Sequence, residues 1–191
     1  MDKAAFMEKK FRVISGSYPY AISRGTLTIV AAPKSNKPFP VDAVVFEDDT
    51  FLVLSAETVV REPKEPLMRV MTKLIETHPE TPGSVLVKGK RPLRMLAIVH
   101  DLNQEPTWRE EWVESCLRGI FHEAERRRLN SLALPFVGTL HGKLERERFI
   151  GILLEVLEVV EFEHLRKLWL IVPSKTKRAI LKALEPGYSG D

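Results

Sequence analysis

The sequence predicts an α/β fold: a three-layer α/β/α sandwich around a mixed, largely parallel central sheet of about six or seven strands. Three observations lead there. Short β-branched runs alternate with helical apolar stripes through the second half of the chain. Prolines are spread through the connections, and no shift in composition marks a linker. A length of 191 residues suits one domain, so the reading is a single domain over residues 1–191.

Composition narrows the class. With 44% hydrophobic and 29% charged residues, the chain can bury a core and is not of disordered type. The net charge is 29 − 26 = +3, an excess too small to indicate nucleic acid as a partner. No apolar run approaches the roughly 18–20 residues of a membrane span, and Glu8, Lys9 and Lys10 interrupt any signal-peptide core near Phe6 and Met7, which implies no membrane. Cys116 is the only cysteine. It can form no intramolecular disulfide or Cys-based zinc cage, which suits a reducing, cytoplasmic setting, and the scattered histidines offer no metal site. No cofactor is implied.

Taken in order, Phe11 to Ile14 and Gly25 to Ala31 have strand character, with Gly16, Ser17, Tyr18 and Pro19 as turn residues between them. Pro33, Pro38 and Pro40 make the next stretch a loop, since each lacks an N–H for a ladder. Val41 to Phe46 reads as a buried strand that Glu47, Asp48 and Asp49 interrupt, and Phe51 to Leu54 as another strand or the far side of a bulge. Behind Pro63 and Pro66, the spacing of Leu67, Val70, Met71, Leu74 and Ile75 predicts a helix that Pro79 ends. Ser84 to Lys88 and Arg94 to His100 read as adjacent strands.

Thr107 and Glu110 have capping-box spacing, and Val113, Leu117, Ile120, Phe121 and Ala124 form the apolar stripe of a helix that ends at Arg126, Arg127 and Arg128. Ser131 to Val137 is a strand, Leu144 to about His164 a long helix with a narrow polar strip of Arg148, Glu155 and Glu158, and Lys167 to Val172 a further strand. Ser174 can cap a last helix running to Leu184.

In such sheets ligands sit beyond the carboxyl ends of the parallel strands. The segment Val137, Gly138, Thr139, Leu140, His141, Gly142 and Lys143 leaves a strand there and enters a helix. Glycines allow close backbone approach, N–H groups at a helix start favour an anion, and Lys143 adds charge. A plain strand-to-helix turn would also need its glycines. Glu47, Asp48 and Asp49 fall at the mouth of the same crevice, where they could take a cation, a ribose hydroxyl or a basic group, or simply form a solvated acidic turn. His100 with Asp101, and His141, are candidate acid–base groups. Cys116 reads as a buried thiol, Ser174 to Arg178 as a basic helix start, and Trp108 with Trp112 as core packing or a partner surface.

Val41-Asp42-Ala43-Val44-Val45, Ser84 to Val87, Leu96 to Asp101, the helix ending near Ala124-Glu125, and Ser131-Leu132-Ala133-Leu134-Pro135 together resemble a macro domain in order and spacing over roughly residues 25–185. Macro domains bind ADP-ribose or related nucleotides, and some hydrolyse ADP-ribose esters. Several of the family's binding features are altered here. Its adenine-binding Asp corresponds to Pro33, its Asn-Ala-Ala-Asn to Phe46-Glu47-Asp48-Asp49, and its first glycine loop to Ser55 to Arg61, which has no glycine. Its second phosphate loop is partly kept in Pro135, Gly138, Thr139, Gly142 and Leu144. A carboxylate beside a pyrophosphate is repelled by about 1–4 kcal/mol at 4 Å.

The resemblance therefore implies a binding module for ADP-ribose or a related nucleotide or phosphorylated ligand, with a lost or rebuilt site and no assigned catalytic residue. A hydrolase using His141, His100 or Asp48 as base, and a ligand-free structural or oligomerisation domain, stay open as alternatives, as does a homodimer.

Overall fold

The computed structural model describes residues 11–13, 21–54, 79–173 and 184. The strands are β1 (Phe11–Val13), β2 (Ala21–Arg24), β3 (Leu27–Pro33), β4 (Ala43–Asp49), β5 (Val85–Lys88), β6 (Leu93–His100), β7 (Ser131–Pro135) and β8 (Lys167–Val172). Helix α1 (Glu110–Arg126) joins β6 to β7, and α2 (Arg146–Val159) joins β7 to β8. The strands form one sheet in the order β1-β2-β3-β8-β7-β4-β6-β5. Five inner strands run parallel, while β1, β2 and β5 are antiparallel additions at the two edges.

The sheet is thus mixed and largely parallel, as predicted, with one strand more than expected. The extra strand is β2, which the turn at Gly25 (φ 55°) folds back onto β3. That positive φ suits glycine, so Gly25 belongs to the turn rather than to the start of a strand as its sequence context predicts.

Helix α1 forms because its apolar residues recur on one face. Val113, Cys116, Leu117, Ile120, Phe121 and Ala124 are all buried against β5, β6 and α2. Complete burial of each large apolar side chain contributes about 1.5–3 kcal/mol, so this stripe fixes the helix to the sheet. Its start differs from the capping-box reading. Arg109 precedes the first turn with no side-chain cap bond, and the Thr107 carbonyl accepts the Asp101 N–H at 2.7 Å instead.

Helix α2 stops at Val159, short of the expected His164. The Glu125 carboxylate collects the backbone N–H groups of Glu163, His164 and Leu165, at 3.1, 2.9 and 2.9 Å, and holds that segment out of the helix. Phe51 to Leu54 is a turn rather than a strand. The predicted helices near residues 67–75 and from Ser174 lie outside the described residues, apart from Leu184, which is buried in the core.

Both faces of the sheet are covered. Leu132, Leu134, Leu168 and Leu170 join the main core with α1 and α2, while the alternate residues Ala133 and Trp169 pack with Ala32 on the opposite face. There the Trp169 indole N–H donates to the Ala32 carbonyl at 2.9 Å.

From β4 the chain goes to β5 and then β6 on one side, and from β7 to β8 on the other, so it changes direction between β4 and β7. Such a switch point is where an open α/β sheet forms a ligand crevice. These two strands pair only through Ala43 with Leu132 and Val44 with Ala133. Past those residues no ladder joins them.

Candidate functional site

Glu47 spans the gap between the parted strands. Alternation along β4 places it on the face of Ala43 and Val45, which point into the main core. Its Oε2 accepts the Gly138 N–H at 2.8 Å, and its Oε1 accepts the His141 N–H at 3.2 Å. Oε1 also lies 2.6 Å from His100 Nε2. A carboxylate can only accept, so this contact calls for a His100 form with its proton on Nε2. Both side chains are nearly inaccessible, at 5% for Glu47 and 1% for His100.

A bulge in β6 makes this pairing possible. The register steps from Asp48 opposite Ile98 to Asp49 opposite His100, so Val99 and His100 together face one step of β4. Simple alternation would turn His100 away from the face of Val99; the extra residue returns it to the side of Glu47.

The loop from Gly138 to Lys143 has a shape that requires its two glycines. Gly138 has φ 82°, and a Cβ there would come within 2.9 Å of Val113 Cγ2. A Cβ on Gly142 would collide with the Gly138 carbonyl oxygen and press on the Trp108 ring at 3.1 Å. The Leu144 N–H donates to that same carbonyl at 3.3 Å, and the Thr139 hydroxyl donates to the Phe136 carbonyl at 2.9 Å. Val137 and Gly138 are buried, whereas Leu140, His141 and Lys143 are exposed. The loop therefore pairs a fixed, inward-facing backbone with exposed side chains.

The acidic residues do not form a solvated turn. They are the last three residues of β4, and Asp48 and Asp49 are fully buried. Asp49 Oδ1 accepts the Phe51 N–H at 2.7 Å, while Oδ2 accepts those of Val53 and Leu54, each at 2.9 Å. Asp48 Oδ1 accepts the Asp49 N–H at 2.9 Å. The cause is the same throughout: backbone donors left unpaired where the strand ends are taken up by the nearest carboxylate.

Phe46 alternates to the other face of the sheet, under the Arg94 guanidinium at 4.8 Å from its ring centre, and is not brought to the loop. Pro33 ends β3, and β8 and β7 separate it from β4, about 14 Å at the usual strand spacing. Of the predicted residues, the structure brings together Glu47, Gly138 and His141, with His100 as a partner of Glu47.

The remaining candidates resolve simply. The Asp101 carboxylate accepts the Asn103 N–H at 3.0 Å and a Gln104 side-chain N–H, while the His100 ring bonds Glu47 instead. The His141 ring stands edge-on to His100, with centres 6.2 Å apart. Burial pushes the Cys116 thiol up to about 12, which leaves it protonated and unreactive. Trp108 packs against the core, and Arg109 lies over Trp112 at 5.2 Å. Ser55 to Arg61 and Ser174 to Arg178 lie outside the described residues. Among the described residues no cluster of His, Cys, Asp or Glu is arranged to hold a metal ion, and no helix is long and apolar enough to cross a membrane.

Two carboxylates received no role from the sequence. Asp42 Oδ2 accepts the N–H groups of Asn130 and Ser131, at 2.9 and 3.1 Å, and ties the start of β7 to β4. Glu125 fixes the entry to β8, as described above. Both lie in the segments that carried the family resemblance.

A mixed, largely parallel sheet with helices packed on it and a glycine-bearing strand-to-helix loop at its switch point defines an α/β sandwich. Solved structures make the class more definite, and the chain has the macrodomain fold. An Oceanobacillus iheyensis macrodomain with MES bound superposes with a TM-score of 0.59 at 14% identity, covering 91% of this chain and 95% of that one. The macro domain of ganglioside induced differentiation associated protein 2 gives 0.58 at 14% identity, over 83% and 84%. The macrodomain of Thermus aquaticus DarG gives 0.53 at 20% identity, over 76% and 98%. Related structures of the Oceanobacillus domain contain ADP, or ADPR in a variant. No family model matches the chain, and no curated protein sequence matches it.

Proposed function

We propose that this chain is a single binding module of the macrodomain kind, which takes a nucleotide or phosphorylated ligand related to ADP-ribose at the carboxyl ends of β4 and β7, through an altered site. The observation that carries the reading is the convergence of the Gly138 and His141 N–H groups on one carboxylate. Backbone donors fixed in that way form an anion cradle. The ADP and ADPR seen in fold relatives support the ligand class, and a free buried thiol is compatible with a cytoplasmic setting.

The test is calorimetry and thermal shift with ADP-ribose, NAD, AMP and oligo-RNA. A ligand at 100 times its Kd stabilises by about 2.7 kcal/mol, or about 5–11 °C for a chain of this size. ADP-ribose or one of the nucleotides is expected to give such a shift, and oligo-RNA none. The absence of any shift at millimolar nucleotide overturns the proposal.

A hydrolase is the second reading, favoured by the exposed His141 beside the Glu47–His100 pair. It requires turnover of an ADP-ribose ester that His141→Ala abolishes without lowering the melting temperature.

A further inference from the structure

We infer that Glu47 is a built-in competitor for the anion cradle: its carboxylate occupies the position at the Gly138 and His141 amides that a ligand phosphate would take. The inference rests on the binding-module reading and adds its regulation, because an anionic ligand engages this loop only when Glu47 leaves it.

Three features support the assignment. The carboxylate bonds the loop through both of its oxygens, so it fills the cradle rather than touching its edge. It comes from a different strand, 91 residues from Gly138 in sequence, and so is not a local cap of its own turn. It is also held from behind by His100, a buried donor that the bulge in β6 aims at Oε1. Asp49 likewise gathers backbone N–H groups, those of its own turn, while Asp42 and Glu125 gather those of distant segments at the entries to β7 and β8. Glu47 does so at the switch point, beyond the last paired residues of β4 and β7. A carboxylate and a phosphate compete for the same N–H donors, and a retained carboxylate repels the newcomer.

The resting protein should therefore bind phosphate poorly at this loop, and removal of the carboxylate should convert the loop into an anion site. The experiment is calorimetric titration of the wild-type chain, Glu47→Ala and Glu47→Gln with inorganic phosphate and with pyrophosphate. Amide NMR signals of Gly138 and His141 are followed in parallel. Glu47→Ala is expected to bind pyrophosphate at least about tenfold more tightly than wild type, a difference of about 1.4 kcal/mol, with the Gly138 and His141 amides shifting on titration.

Glu47→Gln keeps the size of the side chain and removes its charge, so it should show a smaller gain and altered amide positions before any ligand is added. It also supplies the answer if the alanine variant does not fold. No gain in either variant, or amides that ignore bound pyrophosphate, overturns the inference. These outcomes are independent of the wild-type response to ADP-ribose, which tests the binding-module reading.

Discussion

Asp49→Asn separates a structural carboxylate from a ligand-binding one. In the native protein Asp49 is fully buried and accepts three backbone N–H groups, from Phe51 at 2.7 Å and from Val53 and Leu54 at 2.9 Å each. Asparagine keeps one acceptor oxygen. If that oxygen stays with Phe51, the new amide NH2 faces two N–H donors, so two charge-assisted bonds are lost. Hydrogen bonds to a charged group are worth about 1.5–3 kcal/mol each, less where water can replace the lost partner. Val53 is 53% exposed, so its N–H can rehydrate, and the net loss is about 3 kcal/mol. That corresponds to a fall of about 6–12 °C in melting temperature.

Urea denaturation should show a lower midpoint at unchanged slope, and pyrophosphate binding by Glu47→Ala should be the same with or without the second substitution. A loss below about 1 kcal/mol, or a variant that gains pyrophosphate affinity on its own, refutes the assignment of Asp49 to the turn.

Other substitutions and treatments test neighbouring parts of the account. Gly142→Ala should cost about 1–3 kcal/mol and shift the Gly138 amide signal, because its methyl group collides with the Gly138 carbonyl and presses on Trp108; an unchanged loop spectrum contradicts this. Cys116, buried and with its thiol pushed up to about 12, should resist alkylation in the native protein and react on unfolding in urea, as read by mass spectrometry. Hydrogen bonds from Arg126 foremost, and from Arg127, hold the Glu123 carboxyl down at about 2. A lowered carboxyl contributes stability above its ordinary value near 4.5 and loses it as pH falls towards 2. Glu123→Gln should therefore destabilise modestly at pH 7, by about 0.3–1 kcal/mol for a pair with exposed arginines, with the difference from wild type vanishing near pH 2.

The layers of the fold were legible because they are written in periodicity. The stripe from Val113 to Ala124 and the apolar runs of β6, β7 and β8 each match their element within a few residues. Ends were less legible, because tertiary partners set them: α2 stops where Glu125 captures the N–H groups of residues 163–165, and no local signal announces a carboxylate 38 residues away. The glycine loop was visible as a loop, with both glycines necessary.

The charge of the acidic triplet suggests solvent, whereas the structure buries it. Alternation from Ala43 and Val45 turns Glu47 inward, towards the Gly138 and His141 amides. Its partner His100 was less accessible to that reasoning, since a bulge reverses the alternation at Val99 and leaves no mark in composition.

The central claim is that the crevice between β4 and β7 binds a nucleotide-type ligand through the Gly138 to Lys143 loop. Amide NMR of the whole chain during titration with ADP-ribose tests it most directly. The account predicts saturable shifts concentrated at Glu47, His100 and residues 138–143, growing larger in Glu47→Ala. Shifts confined to other surfaces, or none in either protein at millimolar ligand, would contradict it.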